Sequence, residues 1–180
     1  MGYVPKNNLG MVVESGARLV VYNKETLKEL SKLAIHQKKK AFVHIKVETG
    51  NNRQGVQIED LVDFAKFARS LKGIEIEAIA THFANIEDIN PGEALKFLNA
   101  QKSELSMTSF PAHQLARFKE ANSMLNAAGI NVPLMHCANS AATILFPQTH
   151  LSLVRPGISI YGLWPSKDTK YFSKKINPEF

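Results

Sequence analysis

One cysteine, Cys137, stands in a chain of 180 residues. That scarcity excludes an internal disulfide framework and suits a reducing compartment. No apolar run approaches the ~20 residues that a membrane-spanning helix requires, and the opening MGYVPKNN has no apolar signal core. The chain begins Met-Gly, but Lys6 occupies the place where a myristoylation motif has Ser or Thr. These absences predict a cytoplasmic protein with no membrane partner. Aromatic residues make up only 8% and do not interleave with the basic ones, as a nucleic-acid stacking platform would require. The formal charge of +6 therefore predicts no nucleic-acid partner. Its densest run, HQKKK, closes a predicted helix, where cations complement the dipole.

Several chemical signatures are missing as well. His36, His44, His113, His136 and His150 show no metal-ligand spacing, so no metal is expected. The GNNRQG turn lacks the G-x-G-x-x-G spacing of a dinucleotide site, and Ser140 has no G-x-S-x-G elbow around it. Cys137 reads as a small buried hydrophobe.

What is present is a 44% hydrophobic chain of ordinary single-domain size. ARLVVY (17–22) predicts a strand, and NKETLKELSKLAIHQ a helix capped by Asn23. AFVHIKVETG alternates: Ala41, Val43, Ile45 and Val47 lie on one side, and Phe42, His44, Lys46 and Glu48 on the other. IEDLVDFAKFARSLK predicts a helix, IEIEAIATHF a strand, and residues 113–128 a helix stopped by Gly129. VPLMHCAN and LSLVRPGISIYG predict two more strands around a short helix. The connection 84–112 is long, and GEALKFLNAQ within it is a candidate short helix. Strands alternating with helices predict an α/β fold with a parallel sheet. The polar faces carrying His44, Lys46 and Glu48 favour part of a (β/α)8 TIM barrel over an open sheet, although five strands do not close one.

The unusual polar residues fall where predicted strands end, and in a parallel sheet those ends share one face. Asn139 and Ser140 open a helix. Either they form a plain N-cap, or the free amides bind an anion together with the backbone of Gly157 and Ile158. Arg155 lies within an apolar run and needs a partner, since burying an isolated charge is costly; Glu48 is one candidate. His82 is either an ordinary structural histidine or a companion to that arginine. Lys46, on an inner face, must be paired, neutralised or modified.

In this order, HIKVETGNNRQGV, THFANIED, HCANSAAT and VRPGISIYGLWPS resemble the barrel domain of bacterial alanine racemases, from about Gly2 to Ser166. That family is a pyridoxal 5′-phosphate (PLP) enzyme of fold type III, with a (β/α)8 barrel followed by a β-rich domain, and it forms homodimers. The resemblance implies that residues 1–166 are part of the barrel, and that 167–180 lead toward a C-terminal β domain. It implies a cofactor phosphate cradle of Asn139, Ser140, Gly157 and Ile158. Arg155 would face the pyridine nitrogen, and its fixed charge would make the ring a weaker electron sink. His82 would hold Arg155, Arg53 would lie near the cofactor's phenolic oxygen and the alanine carboxylate, and Lys46 matches a lysine that is carbamylated in some members.

Asn51-Asn52 depart from the Met-Gly that usually precedes the family's arginine. The family's K-A-x-A-Y-G segment, which carries the Schiff-base lysine, has no counterpart here, nor has the opposing catalytic tyrosine. The expectation is a section of an enzyme that interconverts L- and D-alanine for peptidoglycan, inactive by itself. Two rival expectations stand beside it: a barrel-only PLP carrier, and a non-catalytic interaction fragment with strand edges open to association.

Overall fold

The computed structural model describes residues 3–89, 107, 109–177 and 179. The helices are α1 (Leu9–Ser15), α2 (Lys24–His36), α3 (Leu61–Ser70), α4 (Ser109–Ala127), α5 (Ser140–Leu145) and α6 (Lys167–Ile176). The strands are β1 (Leu19–Val21), β2 (Ala41–Lys46), β3 (Ile74–Ala80) and β4 (Leu134–His136), in one sheet of order β1-β2-β3-β4. β2 pairs in parallel with both β1 and β3. Helices separate the strands, so this is the α/β alternation expected of part of a (β/α) barrel. The candidate helix GEALKFLNAQ lies outside the described residues. The chain divides into two compact units, one of Met1–Thr81 with Phe118–Met135, the other of His82–Arg117 with His136–Phe180.

The first unit follows from hydrophobic periodicity. On β2, Ala41, Val43 and Ile45 are buried while Phe42, His44 and Lys46 are half-buried, a strict alternation. α2 buries Leu27, Leu30 and Ala34, and Asn23 caps it by accepting the Thr26 amide at 2.8 Å. α3 buries Leu61, Phe64, Ala65 and Ala68. α4 ends where Gly129 turns left-handed (φ 71°), which lets the Ile130 amide reach back to the Leu125 carbonyl at 2.9 Å. Between β2 and β3 the pairing runs Val43↔Ile76 and then His44↔Ala78, so Glu77 is the extra residue of a bulge. Its carboxylate accepts from Arg18 (Nε and Nη2, both 2.9 Å) and from His44 Nε2 at 3.0 Å. Together they hold Glu77 down to about 2, Arg18 contributing more than His44.

The second unit has shorter elements. α5 buries Ala141, Ala142 and Leu145 and packs on α6, which buries Phe172. Ser166 caps α6 by accepting the Thr169 amide at 3.0 Å and donates to the Glu87 carbonyl, also at 3.0 Å. Within the expected connector 167–180, Lys167–Ile176 form this capped helix.

The strand expected over LSLVRPGISIYG does not form. Leu151 takes a positive φ of 48°, Pro156 has no amide to donate, and Ile158–Tyr161 wind into a 3-10 turn. The Arg155 amide reaches across to the Ala138 carbonyl at 3.0 Å, while the amides of Gly157 and Ser159 go to a side chain, Ser140 Oγ, rather than to a strand neighbour. An apolar pattern with β-branched residues cannot become a strand when its ladder donors are interrupted. The described sheet therefore has four strands rather than five.

Candidate functional site: an arginine, a serine and two backbone amides

Within the second unit, β4 ends at His136, and the buried Cys137 and Ala138 lead into α5. Asn139 is extended (φ −87°, ψ −170°), and its Oδ1 accepts the Ala142 amide at 3.0 Å. The capping expectation for Asn139 is thus met, and the cap fixes where Ser140 starts the helix. Ser140 is buried, yet its Oγ accepts two backbone amides that arrive from a distant part of the chain: Gly157 at 2.8 Å and Ser159 at 3.4 Å. A Cβ on Gly157 would meet nothing within 4 Å, so the backbone there is open to approach. Ile158, between the two amides, has a side chain 45% exposed. The arrangement is a hydroxyl oxygen that accepts two backbone N–H groups, donors that an anionic oxygen could take over.

Arg155 lies two residues ahead of this loop. Its Nη1 donates to His136 Nδ1 at 2.6 Å and its Nη2 to the Cys137 carbonyl at 3.3 Å. A guanidinium has donors only, so His136 Nδ1 must accept; the ring is neutral and keeps its proton on Nε2. Burial pushes the Arg155 guanidinium down from its ordinary value, although an arginine remains charged at any physiological pH. Sequence reasoning missed His136 as a partner. One signal for it existed, because it closes a strand on the same edge that singled out Ser140. Ser159 carried no such signal: its contribution is a backbone amide, which any residue supplies. His82, expected to hold the arginine, lies two residues past the end of β3 and is half-buried, with its carbonyl accepting from Gln114 Nε2 at 3.4 Å.

Lys46, Glu48 and Arg53 belong to the first unit. Lys46 closes β2, half-buried, and its carbonyl accepts the Val56 amide at 2.8 Å while the Val56 carbonyl accepts from Glu48 at 2.9 Å. These bonds pinch the loop 48–55 at its base. The Glu48 carboxylate accepts the Gly50 amide at 2.5 Å, and Arg53 is exposed at the loop's tip. Gly55 (φ 152°) is required there, since a Cβ would fall 2.5 Å from the Glu48 nitrogen. A pocket of about 460 Å³ in this unit, lined by Tyr22, Asp60 and Phe64, holds none of the predicted site residues.

Fold and geometry together define a class: a parallel α/β protein of the barrel kind, with a hydroxyl that accepts two backbone amides and a half-buried arginine after its fourth strand. Comparison with known proteins makes this specific. The family model described as alanine racemase, N-terminal domain, matches residues 1–165, and the chain belongs to that family. It is 37% identical over 167 residues to an alanine racemase of Methanococcus maripaludis, covering 92% of this chain and 40% of that protein. It is 36% identical over 173 residues to an alanine racemase of Halothermothrix orenii, with 92% and 41% covered. Among solved structures, the alanine racemase of Clostridium difficile 630 superposes with a TM-score of 0.78 at 27% identity, over 93% of this chain and 40% of that one. The Bacillus anthracis alanine racemase with bound L-Ala-P gives 0.77 at 29%, over 96% and 40%. The chain thus spans about two fifths of the length of the relatives it matches.

Proposed function

We propose that this chain is the phosphate- and ring-binding section of a PLP-dependent alanine racemase that interconverts L- and D-alanine. The observation that carries the reading is Ser140 Oγ gathering the Gly157 and Ser159 amides beside the Arg155–His136 pair. The residues fit the cofactor. Two amides already converge on one oxygen, with open space at Gly157, which suits a phosphate oxygen and a donating serine hydroxyl. When bound, PLP supplies the electron sink that makes the α-proton of an amino acid removable.

In this reading Ser140 and the backbone amides of Gly157 and Ile158 hold the phosphate, with the Ser159 amide beside them and Asn139 fixing the position of Ser140. Arg155 presents a permanent donor to the ring nitrogen and keeps that nitrogen unprotonated, and the neutral His136 orients the guanidinium without adding charge. His82 steadies the same arginine. Arg53 would meet the alanine carboxylate, and a carbamylated Lys46 would present an anion to orient it. The proposal extends to the whole enzyme: residues 1–166 as part of its barrel, 167–180 leading toward a β domain, and a cytoplasmic homodimer supplying D-alanine for peptidoglycan.

The test is a titration of the chain with PLP and with inorganic phosphate, followed by absorbance and calorimetry. Saturable binding is expected, weakened about tenfold by Ser140→Ala, the worth of one charge-assisted hydrogen bond. Equal affinity in the wild type and the serine variant would remove the cradle. No racemisation is expected from the chain alone, because no lysine here matches the family's Schiff-base segment.

A further inference from the structure

Gln114 is fully buried, on a turn of α4 whose other inward residues, Leu115 and Phe118, are apolar. Burying a primary amide is costly unless both its ends are bonded, so a leucine would fill the same volume more cheaply. Its side chain grips one short piece of backbone at two points. Oε1 accepts the Ala84 amide at 3.0 Å, and Nε2 donates to the His82 carbonyl at 3.4 Å. The two bonds flank Phe83, which is buried at 3% exposure. A side-chain amide carries the same donor and acceptor as a peptide group. Gln114 therefore acts as one artificial rung of a β-ladder for a segment that has run past the end of β3 at Ala80. It fixes the carbonyl of one residue and the amide of the residue two further on, which sets the direction in which the first of them projects.

We propose that Gln114 is a positioning residue for His82, its amide clamping the backbone on both sides of Phe83 so that the His82 imidazole is held in one orientation. The proposal rests on the reading above only in giving that imidazole a task; the clamp itself is a matter of geometry.

The experiment uses the full chain as wild type, Gln114→Leu and Gln114→Glu, observed by NMR with isotope-labelled histidine and backbone amides. Gln114→Leu should lower hydrogen-exchange protection of the Ala84 amide about tenfold, the loss of one buried hydrogen bond. It should shift or broaden the His82 ring signals and leave those of His44 and His150 unmoved. Gln114→Glu, observed at a pH high enough to ionise the buried carboxyl, keeps an acceptor for Ala84 but no donor for the His82 carbonyl; it should restore the amide's protection while the His82 ring stays displaced. PLP affinity, measured alongside, should fall with the ring displacement. Ring signals of His82 identical to wild type in either folded variant would overturn the proposal, as would two variants that both fail to fold, which would show a role in folding alone. A wild-type chain that binds no PLP would sink the functional reading while the ring signals still decide the clamp.

Discussion

The two units solve the same problem, satisfying backbone polar groups, in different proportions. In the first, the ladder of β1, β2 and β3 and the regular turns of α2 and α3 carry most of the pairing, with side chains such as Asn23, Ser31 and Glu48 closing loops and helix ends. In the second, side chains perform much of the backbone's pairing: Ser140 for Gly157 and Ser159, Gln114 for His82 and Ala84, Ser166 for Glu87 and Thr169. Irregular backbone held by a side-chain hydroxyl can exchange that hydroxyl for another acceptor without breaking a ladder, which paired strands cannot do. The candidate cradle accordingly sits in the unit with the shorter elements.

That contrast can be broken in order of expected size. Ile45→Ala removes a fully buried side chain from the central strand and should cost about 3 kcal/mol, read by denaturant unfolding; a loss below about 1 kcal/mol would mean the ladder unit does not depend on packing. Gly55→Ala forces a Cβ against the Glu48 nitrogen at positive φ and should cost about 2 kcal/mol, with the loop around Arg53 rearranged. Asn139→Ala, which deletes the α5 cap, should cost about 1 kcal/mol and weaken phosphate binding more than Asn23→Ala, the equivalent cap removal on α2, does.

The smallest effect is a pH dependence in the first unit. The folded state holds Glu77 down to about 2 from an ordinary 4.5. The unfolded carboxyl therefore binds a proton first, and the stabilisation is complete above about pH 4.5 and lost as the pH falls toward 2. Because Arg18 is half exposed, solvent screening reduces the contribution to about 1 kcal/mol or less. Glu77→Gln should flatten the acid limb of the stability curve by that amount, and an unchanged limb would assign the acid sensitivity elsewhere.

How much was legible follows the same division. The alternation of Ala41–Lys46, the Leu27, Leu30 and Ala34 spacing and the Gly129 stop are local signals, and each element appeared where its pattern put it. The family resemblance was legible too, because its motifs are local strings. The stretch 151–162 misled, since its apolar pattern matches a strand while Pro156 and the positive φ of Leu151 interrupt the ladder. His136 and Ser159 were unread because their roles depend on what lies opposite them, not on what they are.

By itself, then, the sequence determined which segments coil and which extend, where helices cap, and which residue types were available for an anion and a ring. Tertiary structure alone decided that the amides of Gly157 and Ser159 point at Ser140, that the partner of Arg155 includes His136, and that Gln114 grips the backbone beyond β3. Periodicity is enforced by neighbours within one turn or one pleat, so a chain carries it in its own order. A contact between residues 17 or 30 positions apart is set by the packing of everything between them, and no local pattern encodes it.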